Sequence, residues 1–250
     1  GFVCDNGAMP RVCSHRQGSA AVAVRLPGIR DTLTVMFPPR SWLALHAGFA
    51  VVAVLLLLAP IGALGMRVLA LVIIYNIAVP VLARRTGDDL LWRMWTLLAP
   101  MSVLMVLPDW FLGAELGSIT FPNTGAPYIG TMPLFMAGMW TIALLPVCLL
   151  ARSVEDRSGP VPAFVAAAGA GLVLFTVAEL FAPALPLWEP LGVAEIAGVA
   201  IYVLLPELAL CVATYALVRE RHGGWATAGG VIAVPFMYLG MLATSYQFLG

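Results

Sequence analysis

Three carboxylic acids, Asp109, Glu179 and Glu207, stand inside or beside long apolar runs, and they are the residues whose type and spacing bear most directly on chemistry. A charged side chain at the centre of a membrane span costs about 2.5 to 3.5 kcal/mol on insertion scales, so each acid needs a structural partner or a task. All 13 basic residues are arginine, and none falls near these acids. An apolar interior disfavours a lone charge, and a neutral carboxylic acid in such a place is a proton donor. Asp109, Glu179 and Glu207 are therefore the candidate acid or base residues. In a helical register Glu195, Gly198, Val199 and Tyr202 share one face, while Glu207, Cys211 and Thr214 form a second stripe rotated by roughly 120° from it. The stripe carrying Glu207, the deeper acid, is expected to face the bundle centre. Asn76, Tyr128, Trp140, Glu195, Tyr202 and Tyr238 are the candidate substrate contacts. Plainer alternatives are a helix-to-helix hydrogen bond for Asn76, a backbone hydrogen bond for the acids or headgroup contact for Glu179 and Glu195, and an aromatic belt at the membrane boundary for Tyr128, Trp140, Trp188, Tyr238 and Tyr246, for which lining a cavity is the sharper reading.

The elements that must hold these residues are membrane helices. The chain is 61% hydrophobic and only 10% charged, with a mean hydropathy of +0.96, far outside the range of a soluble domain. Seven runs reach the roughly 20 apolar residues a span requires, at about 42–60, 66–83, 92–108, 131–151, 161–182, 192–218 and 226–249. The expected fold is an all-α bundle of seven transmembrane helices over residues 36–250. Pro60-Ile61-Gly62, Ser158-Gly159-Pro160 and His222-Gly223-Gly224 punctuate the runs. Arg40, Arg84, Arg85, Arg93, Arg152, Arg157, Arg219 and Arg221 fall on one side of the alternation and Arg67 alone on the other, which predicts a cytoplasmic N-terminus and an outer C-terminus. Connections at about 109–130 and 183–191 then face outward. Residues 1–35 read as a disordered or non-native N-terminal extension. Cys4 and Cys13 lie on the inferred cytoplasmic side, which argues against their pairing. Cys148 and Cys211 read as small apolar packers inside spans.

Several chemistries are excluded. A retinal Schiff base needs a lysine amine, and the chain has none. His15, His46 and His222 share no helix face at metal-ligand spacing, so no metal site and no paired-histidine haem is expected. Asp88-Asp89 is a single acidic pair flanked by Arg84, Arg85 and Arg93 and reads as a solvated loop rather than a magnesium-diphosphate motif. No repeat of 20 to 50 residues is visible, which weakens a transporter of inverted repeats. No cofactor motif and no nucleic-acid partner is expected.

Residues 117–140, GSITFPNTGAPYIGTMPLFMAGMW, form the longest uncharged connection and carry a family likeness. Phe121-Pro122, Gly125, Ile129-Gly130 and Pro133, followed by an apolar span ending Leu144-Leu145-Pro146-Val147-Cys148-Leu149-Leu150, resemble a segment of the membrane-bound carotenoid lycopene cyclases of the heterodimeric or fused bacterial and archaeal type. Related carotenoid hydratases have a similar Gly-x-Pro approach and a later Trp, matched here by Trp140. The cyclases follow that proline with paired acids, whereas this chain has Leu134, Phe135 and Met136; Pro206-Glu207 is a partial counterpart elsewhere. The resemblance implies a cofactor-independent cyclase or hydratase in a bacterial or archaeal plasma membrane. There a protonated acid adds a proton to an alkene of a carotenoid or terpenoid that arrives laterally from lipid, and aromatic faces stabilise the carbocation. A non-catalytic lipid- or pigment-binding protein or subunit, and a proton-coupled transporter, are the alternatives. In the expected arrangement the 117–140 segment folds compactly over the bundle mouth, with Asp109 and Glu115 just before it and Pro133 opening the next helix.

Overall fold

A computed structural model describes residues 40–220 and 224–250, so the expectations for residues 1–35, and for Cys4, Cys13, His15 and His222, lie outside the described residues. The fold is mostly helical (76%), in keeping with an all-α class. Six helical segments are long and apolar enough to cross a membrane: Leu64–Thr86, Asp89–Glu115, Met136–Ser158, Pro160–Phe181, Ile201–Arg219 and Gly224–Leu249. We number the helices α1 (Arg40–Leu58), α2 (Leu64–Thr86), α3 (Asp89–Leu104), α4 (Val106–Trp110), α5 (Met136–Ser158), α6 (Pro160–Phe181), α7 (Ile201–Arg219) and α8 (Gly224–Leu249). The apolar helical part of α1, Trp42–Leu58, is shorter than the six.

Helix ends follow local sequence. Gly87 closes α2 at φ 65, a left-handed conformation that glycine adopts without steric cost. Asp88 then caps α3 by accepting from the Leu91 backbone N–H at 2.9 Å, so the Asp88-Asp89 pair serves a helix start. Pro160 opens α6 at its first position, where the missing N–H costs no helical bond. Pro80, Pro100, Pro146, Pro206 and Pro235 lie inside α2, α3, α5, α7 and α8. Such prolines are tolerated in apolar bundles because neighbouring groups satisfy the freed carbonyls.

In the bundle, α3 packs on α5, α5 on α6, α6 on α7, α7 on α8, and α8 returns to α3, closing a ring of five. Helix α2 flanks α3 and α5, and α1 leans on α2. Arg84, Arg85, Arg93, Arg152, Arg157 and Arg219 collect at one end of the ring, where Glu155 accepts from Tyr215 Oη and Arg219 Nε, both at 2.5 Å. Arg67, at the other end, donates to the carbonyls of Leu56 and Leu57 at 3.1 and 2.9 Å and also to that of Ala59, satisfying the exposed C-terminus of α1. That second end carries the long connections and is the end of interest.

The structure corrects three boundaries. The third span continues to Glu115, so Asp109 lies within the helical segment and not in an outer loop. Pro108, inside α4, has no N–H to donate to the Leu104 carbonyl, and the chain turns at Met105 before resuming as α4 and a π-helical turn, Phe111–Glu115. Pro133 does not open a helix: it pairs in a two-stranded hairpin, β2 (Tyr128–Ile129) with β3 (Met132–Pro133), and α5 begins at Met136. The span expected from residue 192 begins only at Ile201, because β5 (Glu195–Ile196) turns back on β6 (Val199–Ala200) through Ala197 at φ 52 and Gly198 at φ 83. The helical face drawn through Glu195 and Tyr202 therefore does not exist.

Candidate active site: an acid-lined aromatic cavity

Two connections meet over the ring. The one following the π-helical turn supplies β1 (Ile119–Thr120), and the one following α6 supplies β4 (Glu189–Pro190), which pair antiparallel as Ile119↔Pro190 and Thr120↔Glu189. The Leu191 N–H donates to the Ser118 carbonyl at 2.9 Å and extends the seam. The first connection is anchored to α2 as well, since the Gly65 N–H donates to the Thr124 carbonyl at 2.8 Å. A Cβ on Gly65 would stand 2.7 Å from the Ala126 nitrogen, so only glycine admits this approach. The uncharged, turn-rich composition of residues 118–135 thus has a structural cause: it packs down onto the bundle instead of standing in water.

Beneath this cover lies a cavity of about 770 Å³ when the open space at its mouth is included. Asp109 from α4, Glu179 from α6 and Glu207 from α7 all line it. Each is buried, at 4%, 9% and 5% exposure, so the three acids that the sequence scatters over almost 100 positions share one enclosed space. The rest of the wall is apolar and aromatic, including Phe121, Trp140, Phe175, Trp188, Tyr202 and Tyr238. No arginine or histidine lines it among the described residues.

The acids differ in their partners. Trp140 Nε1 donates to Asp109 Oδ2 at 2.9 Å, and Trp188 Nε1 donates to Glu179 Oε1 at 2.9 Å. Each bond fixes one oxygen and leaves the other oxygen of that carboxyl for a ligand. Glu207 Oε2 is buried and has no hydrogen-bond partner in the protein. A buried polar atom left unpaired costs about 1 to 3 kcal/mol. Trp140 also packs against Phe175 (centroids 5.5 Å apart) and edge-on to Tyr238 (5.6 Å, 68°), building an aromatic corner beside Asp109. Ser118 Oγ and Tyr202 Oη lie 2.9 Å apart and join the cover to α7. One turn further from the mouth the ring is filled by Met105, Leu144, Leu145, Cys148, Leu210 and Cys211, all fully buried.

Of the six expected substrate contacts, Trp140, Tyr202 and Tyr238 line the cavity. Asn76 does not. Its Nδ2 donates to the Val72 carbonyl at 2.9 Å and the Gly138 carbonyl at 3.1 Å, holding α2 to α5. Tyr128 is also outside the cavity: its hydroxyl donates to the Phe121 and Pro122 carbonyls at 3.1 and 2.8 Å and tightens the cover. Glu195 sits exposed on the β5–β6 hairpin, outside the cavity wall but near enough to Glu179 for their charges to interact. Sequence reasoning missed Ser118 as a wall residue; for Trp188 a boundary belt is its default and cavity lining its alternative, and Trp188 lines the cavity with its indole donating to Glu179. A tryptophan nine residues after a span carboxyl was the available signal. No group of three or more His, Cys, Asp and Glu side chains placed to hold a metal ion occurs among the described residues.

No curated protein and no solved structure matches the chain. One family model does match, over residues 106–249, a stretch that contains every residue lining the cavity. The chain accordingly belongs to the family described as a domain of unknown function, DUF6989.

Proposed function

We propose that this protein is a cofactor-independent membrane enzyme that cyclises or hydrates an isoprenoid by proton transfer from a carboxylic acid. The observation that carries the reading is the meeting of Asp109, Glu179 and Glu207 in one aromatic cavity without a basic residue. Protonation of an alkene needs an acid held next to an apolar substrate, and the resulting carbocation needs aromatic faces and carboxylates, not cations, around it. Glu207, with its free Oε2, is the proton donor of this scheme. Its proton forms a new C–H bond, and the positive charge moves to the neighbouring carbon. For cyclisation a second alkene of the same substrate attacks that cation, forming the ring C–C bond and passing the charge to its own far carbon, and Asp109 or Glu179 takes a proton from the carbon next to it to give a cyclised alkene; for hydration one of these carboxylates takes a proton from a water whose oxygen captures the first cation to give an alcohol. Trp140, Tyr202 and Tyr238 serve as substrate walls. The first-guess substrate is a carotenoid or other terpenoid, which reaches the site from the bilayer.

The proposal includes α1 as a seventh span. Its 19 residues extend about 28 Å at 1.5 Å per residue, close to the hydrocarbon thickness. The arginine-rich end is assigned to the cytoplasm and the cavity to the outer half of a bacterial or archaeal plasma membrane.

The test is expression in cells that accumulate linear carotenoids or prenylated precursors, with pigments and lipids analysed by mass spectrometry. A new or consumed isoprenoid, lost in Glu207→Gln, supports the reading. An unchanged profile with the protein inserted and folded refutes it for those substrates.

A further inference from the structure

We infer that the same cavity is a binding site for an organic monocation, an apolar tertiary or quaternary ammonium that carries no anionic group of its own. With three carboxyls enclosed together and no lysine, arginine or histidine in the wall, a bound cation is the partner that would draw one of these acids into its ionised form. Asp109 and Glu179 each accept only one indole N–H, and Glu207, 5% exposed and with its Oε2 unpaired, lines the space. The apolar filling of such a cation is met by Phe175, Trp140 and Tyr238, whose mutually tilted rings offer faces and edges around one corner. This is the geometry that recognises alkylated ammonium groups, where the cation lies within about 6 Å of a ring centroid. A strongly hydrated metal ion is less well suited, because aromatic and aliphatic walls leave few oxygens for its shell. A zwitterionic phosphocholine is excluded on charge: its phosphate would enter a wall with carboxyls and no basic side chain to receive it.

The inference concerns binding alone and goes beyond isoprenoid turnover, so the two readings fail separately. The test uses the full chain in lipid nanodiscs, titrated with benzyltriethylammonium and followed by calorimetry and tryptophan emission. N,N-diethylbenzamide is the neutral comparison and glycerophosphocholine the zwitterionic one. Saturable binding of benzyltriethylammonium is expected, at least about ten-fold tighter than the amide, which is the scale of a desolvated cation–π and carboxylate contact. Glu207→Gln and Asp109→Asn should each weaken it about ten-fold while the protein keeps its thermal transition. Absence of saturable binding, equal binding of the amide or of glycerophosphocholine, or full affinity in both folded variants overturns the inference. Isoprenoid conversion by a protein that ignores the ammonium ion would also overturn it and leave the enzyme reading standing. Ammonium binding without conversion would support it and count against the enzyme.

Discussion

Trp140→Phe and Asp109→Asn perturb the two halves of one buried hydrogen bond, and the cavity geometry predicts opposite outcomes for them. Trp140→Phe deletes the Nε1–H that reaches Asp109 Oδ2 at 2.9 Å and leaves a carboxyl at 4% exposure without that donor. The cost of an unsatisfied buried acceptor is about 1 to 3 kcal/mol. Losing the larger ring against Phe175 and Tyr238 adds about 1 kcal/mol of vacated contact. The sum, about 2 to 4 kcal/mol, corresponds to a fall of roughly 4 to 16 °C in the unfolding midpoint of a chain this size. Asp109→Asn keeps an oxygen that accepts the same indole N–H, so it should cost less than about 1 kcal/mol. An amide neither gives nor takes the proton, so turnover should drop at least about 100-fold if Asp109 acts in the chemistry. The assays are thermal unfolding in nanodiscs and product formation by mass spectrometry. A variant Asp109→Asn that melts as early as Trp140→Phe, or one that keeps full turnover, would refute the reasoning.

Other substitutions separate structure from function in the same way. Glu207→Leu removes an unpaired buried oxygen while keeping volume, so it should hold or raise stability, by up to about 1 kcal/mol as read from thermal unfolding, while abolishing turnover; a large destabilisation would show that Glu207 is a structural acid. Asn76→Ala should cost about 1 kcal/mol by cutting the bond from α2 to the Gly138 carbonyl, with turnover per folded molecule unchanged; a selective loss of turnover would restore Asn76 to the site. Ala197→Gly relieves a non-glycine residue at φ 52 in an exposed turn and should stabilise by roughly 0.5 to 1 kcal/mol, measured by thermal unfolding, with destabilisation as the contrary result.

The sequence made the three acids legible because ionisable groups are rare in apolar runs, and rarity holds whatever the exact span boundaries are. Asp109, Glu179 and Glu207 needed only approximate depth to be grouped. Glu195 failed for a different reason. Residues 192–200, GVAEIAGVA, are apolar enough to extend a hydropathy run, and helical spacing placed Glu195 with Tyr202. The Ala197-Gly198 turn reverses the chain instead, and Gly192 and Gly198, both at positive φ, were the local signs of it. The π-helical continuation to Glu115 was also invisible to hydropathy, since Pro108 reads as a stop when it only interrupts. Partnerships such as Trp188 with Glu179, or β1 with β4, join residues of different connections and have no periodic signature. The plain explanation for Asn76, a helix-to-helix bond, is the one the structure displays.

The central claim is that a cavity carboxyl delivers its proton to carbon, and isotope transfer tests that most directly. Purified protein in nanodiscs, equilibrated in D₂O and supplied with the linear isoprenoid that cell expression identifies, should give a product carrying one non-exchangeable C–D bond per molecule, absent with Glu207→Gln. A product formed without deuterium at carbon, or formed equally by Glu207→Gln, would contradict the account.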